Sequence, residues 1–125
     1  MPDRRGRPVP DWRPPPRPRP VATEGLHVRL DPLTPAHAPA LQAAMAGHDA
    51  LWDYMPYGPF DAAGHADWVA AVAGRDDPMF FALTPRGAAG PAGVMSLMRI
   101  APEAGSIEVG HICLAPSLQR TAAAT

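Results

Sequence analysis

Three short stretches hold the side chains best suited to chemistry. "SIEVGHICL" (106–114) carries Glu108, His111 and Cys113 on one strand-like run. Glu108 and His111 are the two groups there able to accept a proton in general acid–base work. "LQRTAAAT" (118–125) follows after a Pro-containing loop and reads as the opening of a helix. Successive unpaired N–H groups at a helix start point at one spot and favour an anion there. The small side chains of Ala122, Ala123 and Ala124 would let such an anion approach the backbone. "LWDYMPYGPF" (51–60) places Trp52, Tyr54, Tyr57 and Phe60 in a loop broken by Pro and Gly, too apolar for a plain solvent linker. Each group also has a plainer reading. Glu108 can be one half of a cross-strand ion pair, a lone His is more often structural, and the aromatic loop can pack on its own core. Cys113 sits in an apolar run with nothing near it to lower its pKa, so a buried packing role is expected. The histidines at 27, 37, 48, 65 and 111 share no ligand spacing, so no metal site is expected.

The elements that must position these groups follow from hydrophobic periodicity. "LHVRLDPL" alternates as a half-buried strand over 26–31. A helix is expected over 36–47, with Thr34 as N-cap, Pro35 at the first position and regular structure starting near Pro39. Leu41, Met45 and His48 would share its inner face. Asp61 can cap a second helix over 62–73, whose His65, Trp68, Val69 and Val72 form one stripe. "MFFALT" (79–84) reads as a buried strand, and 93–101 and 106–114 as a hairpin around "PEAG". With Ala101 facing Ser106, Ile100 meets Ile107, Arg99 meets Glu108 and Met98 meets Val109, so apolar matches apolar and charge meets opposite charge. The last strand has a break in phase. Ile107 and Val109 occupy odd positions, Ile112 and Leu114 even ones. One extra residue at Gly110-His111, a β-bulge, accounts for the flip.

Residues 1–20 stand apart. They hold eight Pro and six Arg against two Asp, with Val9 and Trp12 as the bulky apolar residues. Such a stretch buries too little apolar surface to offset its ordering entropy, so residues 1–22 are expected to form a disordered or polyproline II arm. The arm carries +4, and the rest, with five Arg against ten Asp and Glu, carries −5. That footprint is too weak to imply nucleic acid. No run approaches a membrane span, and one cysteine excludes an internal disulfide framework and fits a reducing cytoplasm. All 11 basic residues are Arg, which with the abundant Ala, Pro and Gly points to a GC-rich coding sequence.

The order β-α-α-β-β-β, the bulged strand "SIEVGHICLAP", the aromatic loop and Gln119–Ala124 together resemble the N-terminal part of the GNAT superfamily of N-acetyltransferases. The nearest likeness is to the branch of ribosomal-protein N-terminal acetyltransferases. The resemblance covers residues 23–125 and implies an α/β fold with a mixed, mainly antiparallel sheet, flanking helices and a chain cut after the fourth strand. It implies acetyl-CoA as acetyl donor and a primary amine, on a small molecule or a protein N-terminus, as acceptor. Gln119, Arg120, Thr121, Ala122, Ala123 and Ala124 match the family's pyrophosphate loop, with Ala122 where the family has Gly. Ile112, Cys113 and Leu114 match the splayed strand that pairs with the pantetheine arm. Trp52, Tyr54, Tyr57 and Phe60 fall on the acceptor side. Glu108 is the base candidate, with His111 a second, and the N–H of His111 or Ile112 is placed to serve an oxyanion. Family members continue beyond this point, so residues 1–125 alone are expected to be incompetent.

A different class of function, an interaction protein acting through the P-x-x-P spacing of "RPPPRPRP", competes with this reading. Deleting residues 1–20 separates the two. An acetyltransferase keeps its cofactor binding, and an arm-driven adaptor loses its partner in a pull-down.

Overall fold

A computed structural model describes residues 4–125. Seven elements form a five-stranded antiparallel sheet in the order β1-β2-β3-β4-β5, with two helices inserted between β2 and β3. They are β1 (Thr23–Glu24), β2 (Val28–Pro32), α1 (Ala38–Met45), α2 (Ala62–Val72), β3 (Met79–Pro85), β4 (Gly93–Ala101) and β5 (Ser106–Leu114). The α/β architecture expected from periodicity is present. The sheet gains β1, a two-residue strand that turns onto β2 through Gly25 and is too short to show in any sequence pattern.

Local chemistry explains the helix boundaries. Pro35–His37 forms a single 3-10 turn, and α1 proper begins at Ala38, beside Pro39. The His37 imidazole reaches back, its Nδ1 accepting from the Thr34 N–H at 3.0 Å. The α1 helix ends at Met45, so His48 lies outside it and is exposed rather than continuing the Leu41–Met45 face. Asp61 caps α2 as its sequence implies, accepting the Gly64 N–H at 2.7 Å.

Sheet register places Phe80, Ala82, Val94, Ser96, Gly110 and Cys113 on one face. Leu41 and Met45 of α1 and Val69 and Val72 of α2 pack into the same buried cluster as Phe80, Ala82, Val94 and Cys113. One polar contact ties the helices together inside this layer. His65, 1% exposed, sits 2.8 Å from Gln42 through Nδ1, and the Gln42 amide donates to the Phe60 carbonyl at 3.4 Å. With that amide orientation Oε1 of Gln42 accepts, so Nδ1 of His65 carries its proton.

The β4–β5 hairpin departs from the expected register in its middle. Ala101↔Ser106, Val94↔Cys113 and Gly93↔Leu114 pair as expected, but Met98 faces Glu108 and Leu97 faces Val109. The Ile100–Ile107, Arg99–Glu108 and Met98–Val109 matches are therefore corrected. Two bulges produce the displacement. One lies in β5 between Gly110 and Cys113, where the phase flip placed it, with His111 at φ 49°. The other lies in β4 between Met98 and Ala101, with Arg99 at φ 47°. The extra residues lie on opposite strands, so the two bulges cancel and the register is restored at both ends. Asp77 holds the second bulge in place. Its two carboxylate oxygens accept the N–H groups of Arg99 and Ile100, each at 3.0 Å.

Residues 4–20 contain no helix or strand, as their composition implies, and the first three residues of the arm lie outside the described residues. The run from Trp12 to Pro18 lies against the hairpin tip. The Trp12 ring covers Gly105, at φ +64°, so closely that a Cβ there would come within 2.8 Å of it. Pro15, Pro16 and Pro18 flank Ile100 and Ile107, and the Arg17 guanidinium donates to the Asp76 carbonyl at 2.8 Å.

Two measurements check these contacts. Removing the Asp77 carboxylate frees two N–H groups at the β4 bulge. Asp77→Ala should cost about 1–3 kcal/mol in denaturant unfolding, the range for charge-assisted bonds, with Asp77→Asn losing less. Burial holds the His65 imidazole below the ordinary value of 6.5. The unfolded chain therefore binds this proton more readily than the folded one, and unfolding takes a proton up. The stability this gives is full above about pH 6.5 and falls away as pH drops through that value. His65→Gln should show a smaller difference in Tm between pH 7.5 and pH 5.5 than the unaltered protein.

Candidate active site

The β5 bulge gathers the groups singled out from sequence. Phe80, Ser96 and Gly110 stand side by side across β3, β4 and β5. Ser96 is fully buried, and its hydroxyl donates to the Gly110 carbonyl at 3.1 Å, at the point where the bulge begins. Gly110 lies tight against Met98, since a Cβ built on it would run into the Met98 sulfur. Past Gly110 the left-handed backbone of His111 turns its ring onto Phe80, with ring centroids 5.2 Å apart, and onto Tyr57 at 5.8 Å and a near-parallel 19°. Nδ1 of His111 lies 3.0 Å from Oη of Tyr57. No other hydrogen bond to the His111 ring is present among the described residues.

The aromatic loop divides in two. Trp52, Tyr57 and Phe60 come together with Trp68 of α2, with centroid distances of 5.1 Å for Trp52–Phe60 and 4.7 Å for Tyr57–Trp68. Trp52 is a core residue, 6% exposed, and Gly58 at φ +78° lies directly on its ring. Tyr54 is fully exposed and touches none of these rings. Burial raises the Tyr57 phenol well above its ordinary range, and the Cys113 thiol adds to the effect, so Tyr57 keeps its proton at all physiological pH. Cys113 is itself buried, and burial raises its thiol.

Glu108 faces Met98 across the hairpin, and its carboxylate lies beside Gly110, with Oε1 3.7 Å from where a Cβ of that glycine would stand. Its Oε2 pairs with Nε of Arg99 at 3.3 Å, with both side chains well exposed. The ion pair read from the sequence exists, although it runs diagonally across the β4 bulge rather than straight across the ladder. A pair this exposed contributes at most about 1 kcal/mol.

Beyond the bulge, Ile112 is 53% exposed while Cys113 turns inward and Leu114 is half-buried. Ile107 and Val109 are also exposed, so β5 presents an apolar edge with no strand beside it among the described residues. The segment after β5 is a tight sequence of turns. The Gln119 amide donates to the Leu114 carbonyl at 2.9 Å, and the Thr121 hydroxyl donates to the Leu118 carbonyl at 2.7 Å. Ala122–Ala124 forms one 3-10 turn with Thr121 at its N-cap, where the sequence places a helix start. Positive φ in this loop falls on Arg120, at 59°, and not on Ala122. The Ala that replaces the family's Gly is therefore unstrained. The N–H groups of Ala122 and Ala123 donate to no backbone carbonyl among the described residues.

Sequence reasoning missed two members of this site. Ser96 was marked by its position, a polar residue on the core-facing parity between Val94 and Met98. The Tyr57–His111 contact joins residues 54 apart in the chain, and no local pattern announces it. Among the described residues no three His, Cys, Asp or Glu side chains come together as metal ligands, and no helix is long and apolar enough to cross a membrane.

Comparison with known proteins agrees with this geometry. The family model for the acetyltransferase (GNAT) domain matches residues 27–125. A GCN5-related N-acetyltransferase from Brucella melitensis superposes with a TM-score of 0.86 at 33% identity, over 93% of this chain and 54% of its own. A protein described as a GNAT-family acetyltransferase from Chromobacterium violaceum gives 0.81 at 29% identity, over 96% of this chain and 62% of its own. A third, an acetyltransferase-like structure from T. thermophilus at 23% identity and TM-score 0.71, shares the fold. No functionally curated protein matches the chain. The chain thus spans somewhat more than half the length of these solved structures. The bulged fifth strand, the turn at 119–124 and the matched family model together carry one conclusion: this chain belongs to the GNAT acetyltransferase family.

Proposed function

We propose that this chain supplies the donor-binding half of an N-acetyltransferase that moves an acetyl group from acetyl-CoA to a primary amine, on a small molecule or a protein N-terminus. The observation that carries the reading is the β5 bulge followed by the turn at Thr121–Ala124. The bulge leaves β5 as a sheet edge over Ile112–Leu114, with the Leu114 carbonyl taken by the Gln119 amide, and such an edge suits pairing with the amides of a pantetheine arm as another strand would. The turn offers the N–H groups of Ala122 and Ala123 without backbone partners, next to methyl side chains small enough to admit a pyrophosphate. Gln119, Arg120 and Thr121 complete that loop, with the Arg120 guanidinium the positive charge nearest to it in sequence. On the acceptor side stand Tyr57 and Phe60, with Trp52 behind them as support and Tyr54 at the rim. Glu108 and His111 flank the bulge on β5, and one of them takes the proton from the incoming ammonium. A cytoplasmic location suits this chemistry and the reduced Cys113.

The 3-10 turn at 122–124 is shorter than any isolated helix that is stable in water, where about 12–15 residues are already marginal. Calorimetric titration of acetyl-CoA tests the proposal. Residues 1–125 should show no saturable binding, and a chain carried on to the length of the solved relatives should bind. Binding by both would remove the claim of incompetence. Binding by neither would count against the acetyltransferase reading itself.

A further inference from the structure

Outside the strand edge and turn assigned to acetyl-CoA, the described residues offer the groove under Pro15–Pro18, the alanine-lined cleft between α1 and α2, and the His111 side chain. The last carries an inference. His111 lies at a left-handed backbone position, as Arg99 does at the other bulge and Arg120 does in the turn after β5. A left-handed backbone is uncommon for a residue with a Cβ, and histidine is among the few types enriched there, with asparagine and aspartate. At the β5 bulge that conformation belongs to His111, with φ 49°, although Gly110 stands one residue earlier. This backbone turns the imidazole out of the strand's alternation and onto Tyr57 and Phe80.

We propose that His111 is the group that takes the proton from the acceptor ammonium, through Nε2, and that Tyr57 is the residue that positions it. This inference rests on the acetyl-transfer reading and assigns the base that the reading leaves between two groups. Three observations support it. First, Nδ1 is occupied at 3.0 Å by Oη of Tyr57, while Nε2 has no hydrogen-bond partner among the described residues. Second, the ring is clamped between Tyr57 and Phe80, so its remaining nitrogen has a fixed direction, as an oriented base requires. Third, the exposed Glu108 carboxylate lies beside Arg99 and has no hydrogen bond among the described residues to fix its direction, whereas the His111 ring has one. The titratable groups about the pair are Tyr57 itself and, beyond it, Cys113, and both stay protonated and neutral because burial raises them. No fixed charge among them competes for the proton.

In this step the ammonium gives one proton to Nε2, and the resulting imidazolium keeps its Nδ1–H donated to the Tyr57 oxygen. The freed amine nitrogen forms its bond to the acetyl carbon as the C–S bond breaks. The sulfur departs with the bonding pair and takes up the second amine proton, and Nε2 returns its own proton to solvent. The resting state this demands is the tautomer with Nδ1 protonated and Nε2 bare.

His111→Asn and Tyr57→Phe test the assignment. Asparagine tolerates the left-handed backbone, so the bulge survives while the titrating ring is lost. Phenylalanine keeps the Tyr57 packing and removes only the hydroxyl. Nitrogen NMR of the His111 ring in residues 1–125 should report the Nδ1–H tautomer, and Tyr57→Phe should shift that population toward Nε2–H. In a chain carried on to the length of the solved relatives, turnover is followed as thiol release from acetyl-CoA, with a short peptide bearing a free N-terminus and a small diamine as acceptors. There His111→Asn should lower kcat at least about 100-fold, with the affinity for acetyl-CoA unchanged. Tyr57→Phe should lower kcat about tenfold, leave KM for acetyl-CoA unchanged and move the acid limb of the pH profile. Glu108→Gln should lower kcat by less than His111→Asn does. An Nε2–H tautomer in the unaltered protein, or His111→Asn turnover within about threefold of it, overturns the assignment while leaving acetyl transfer intact. Absence of turnover from that extended chain, otherwise unaltered and with acetyl-CoA bound, would overturn the transfer reading and this inference together.

Discussion

A sheet cannot take one extra residue in one strand without losing its register, unless a second strand gives the residue back. This constraint organises the β4–β5 hairpin. The bulge in β5 displaces the pairing of Ser96, Leu97 and Met98, and the bulge in β4 restores it before the turn. Without the compensation, every side chain on one side of the bulge would change faces, and the buried set of Val94, Ser96 and Cys113 could not stay together. The two bulges are held by different means. Asp77 stabilises the one in β4 with two charge-assisted bonds from the loop before β3, and Ser96 stabilises the one in β5 with a single buried hydroxyl.

The consequences run outward from β5. Turning His111 out of the alternation brings it against Tyr57, and through Tyr57 the aromatic loop at 51–60 is tied to the sheet. That loop has few backbone hydrogen bonds of its own, so its shape depends on ring contacts. Trp52 anchors it in the core, Gly58 allows the backbone to pass close over that ring, and Phe60 and Tyr57 lie against Trp68 of α2. The Gln42–His65 contact then fixes α2 against α1 beneath the same rings. The aromatic loop is therefore held by ring packing, with the Tyr57–His111 pair as a polar contact at its edge.

The other side of the bulge has the opposite character. Ile107, Val109 and Ile112 leave β5 with an exposed apolar edge, and the turn at 121–124 presents backbone N–H groups rather than side-chain charge. Charged side chains contribute little here. The Arg99–Glu108 pair is exposed and belongs to the hairpin's surface.

Much of this was legible in the sequence because it depends on neighbours in the chain. The strand spanning 106–114, the helix begun by Asp61 and the bulge at Gly110-His111 all follow from periodicity, capping and phase, which are local properties. The burial of Cys113 and of the His65 stripe followed in the same way. What the sequence could not specify was anything set by two distant segments meeting. The β4 bulge depends on Asp77, more than 20 residues earlier, and nothing within "VMSLMRIA" marks Arg99 for a left-handed backbone. The separation of Tyr54, fully exposed, from Tyr57, packed against His111, is invisible in a loop where both are tyrosines three residues apart. The residue types determined the strands, the helices and the family. Only the folded sheet, by bringing a loop, a strand and a bulge to one place, decided which of those residues share a site.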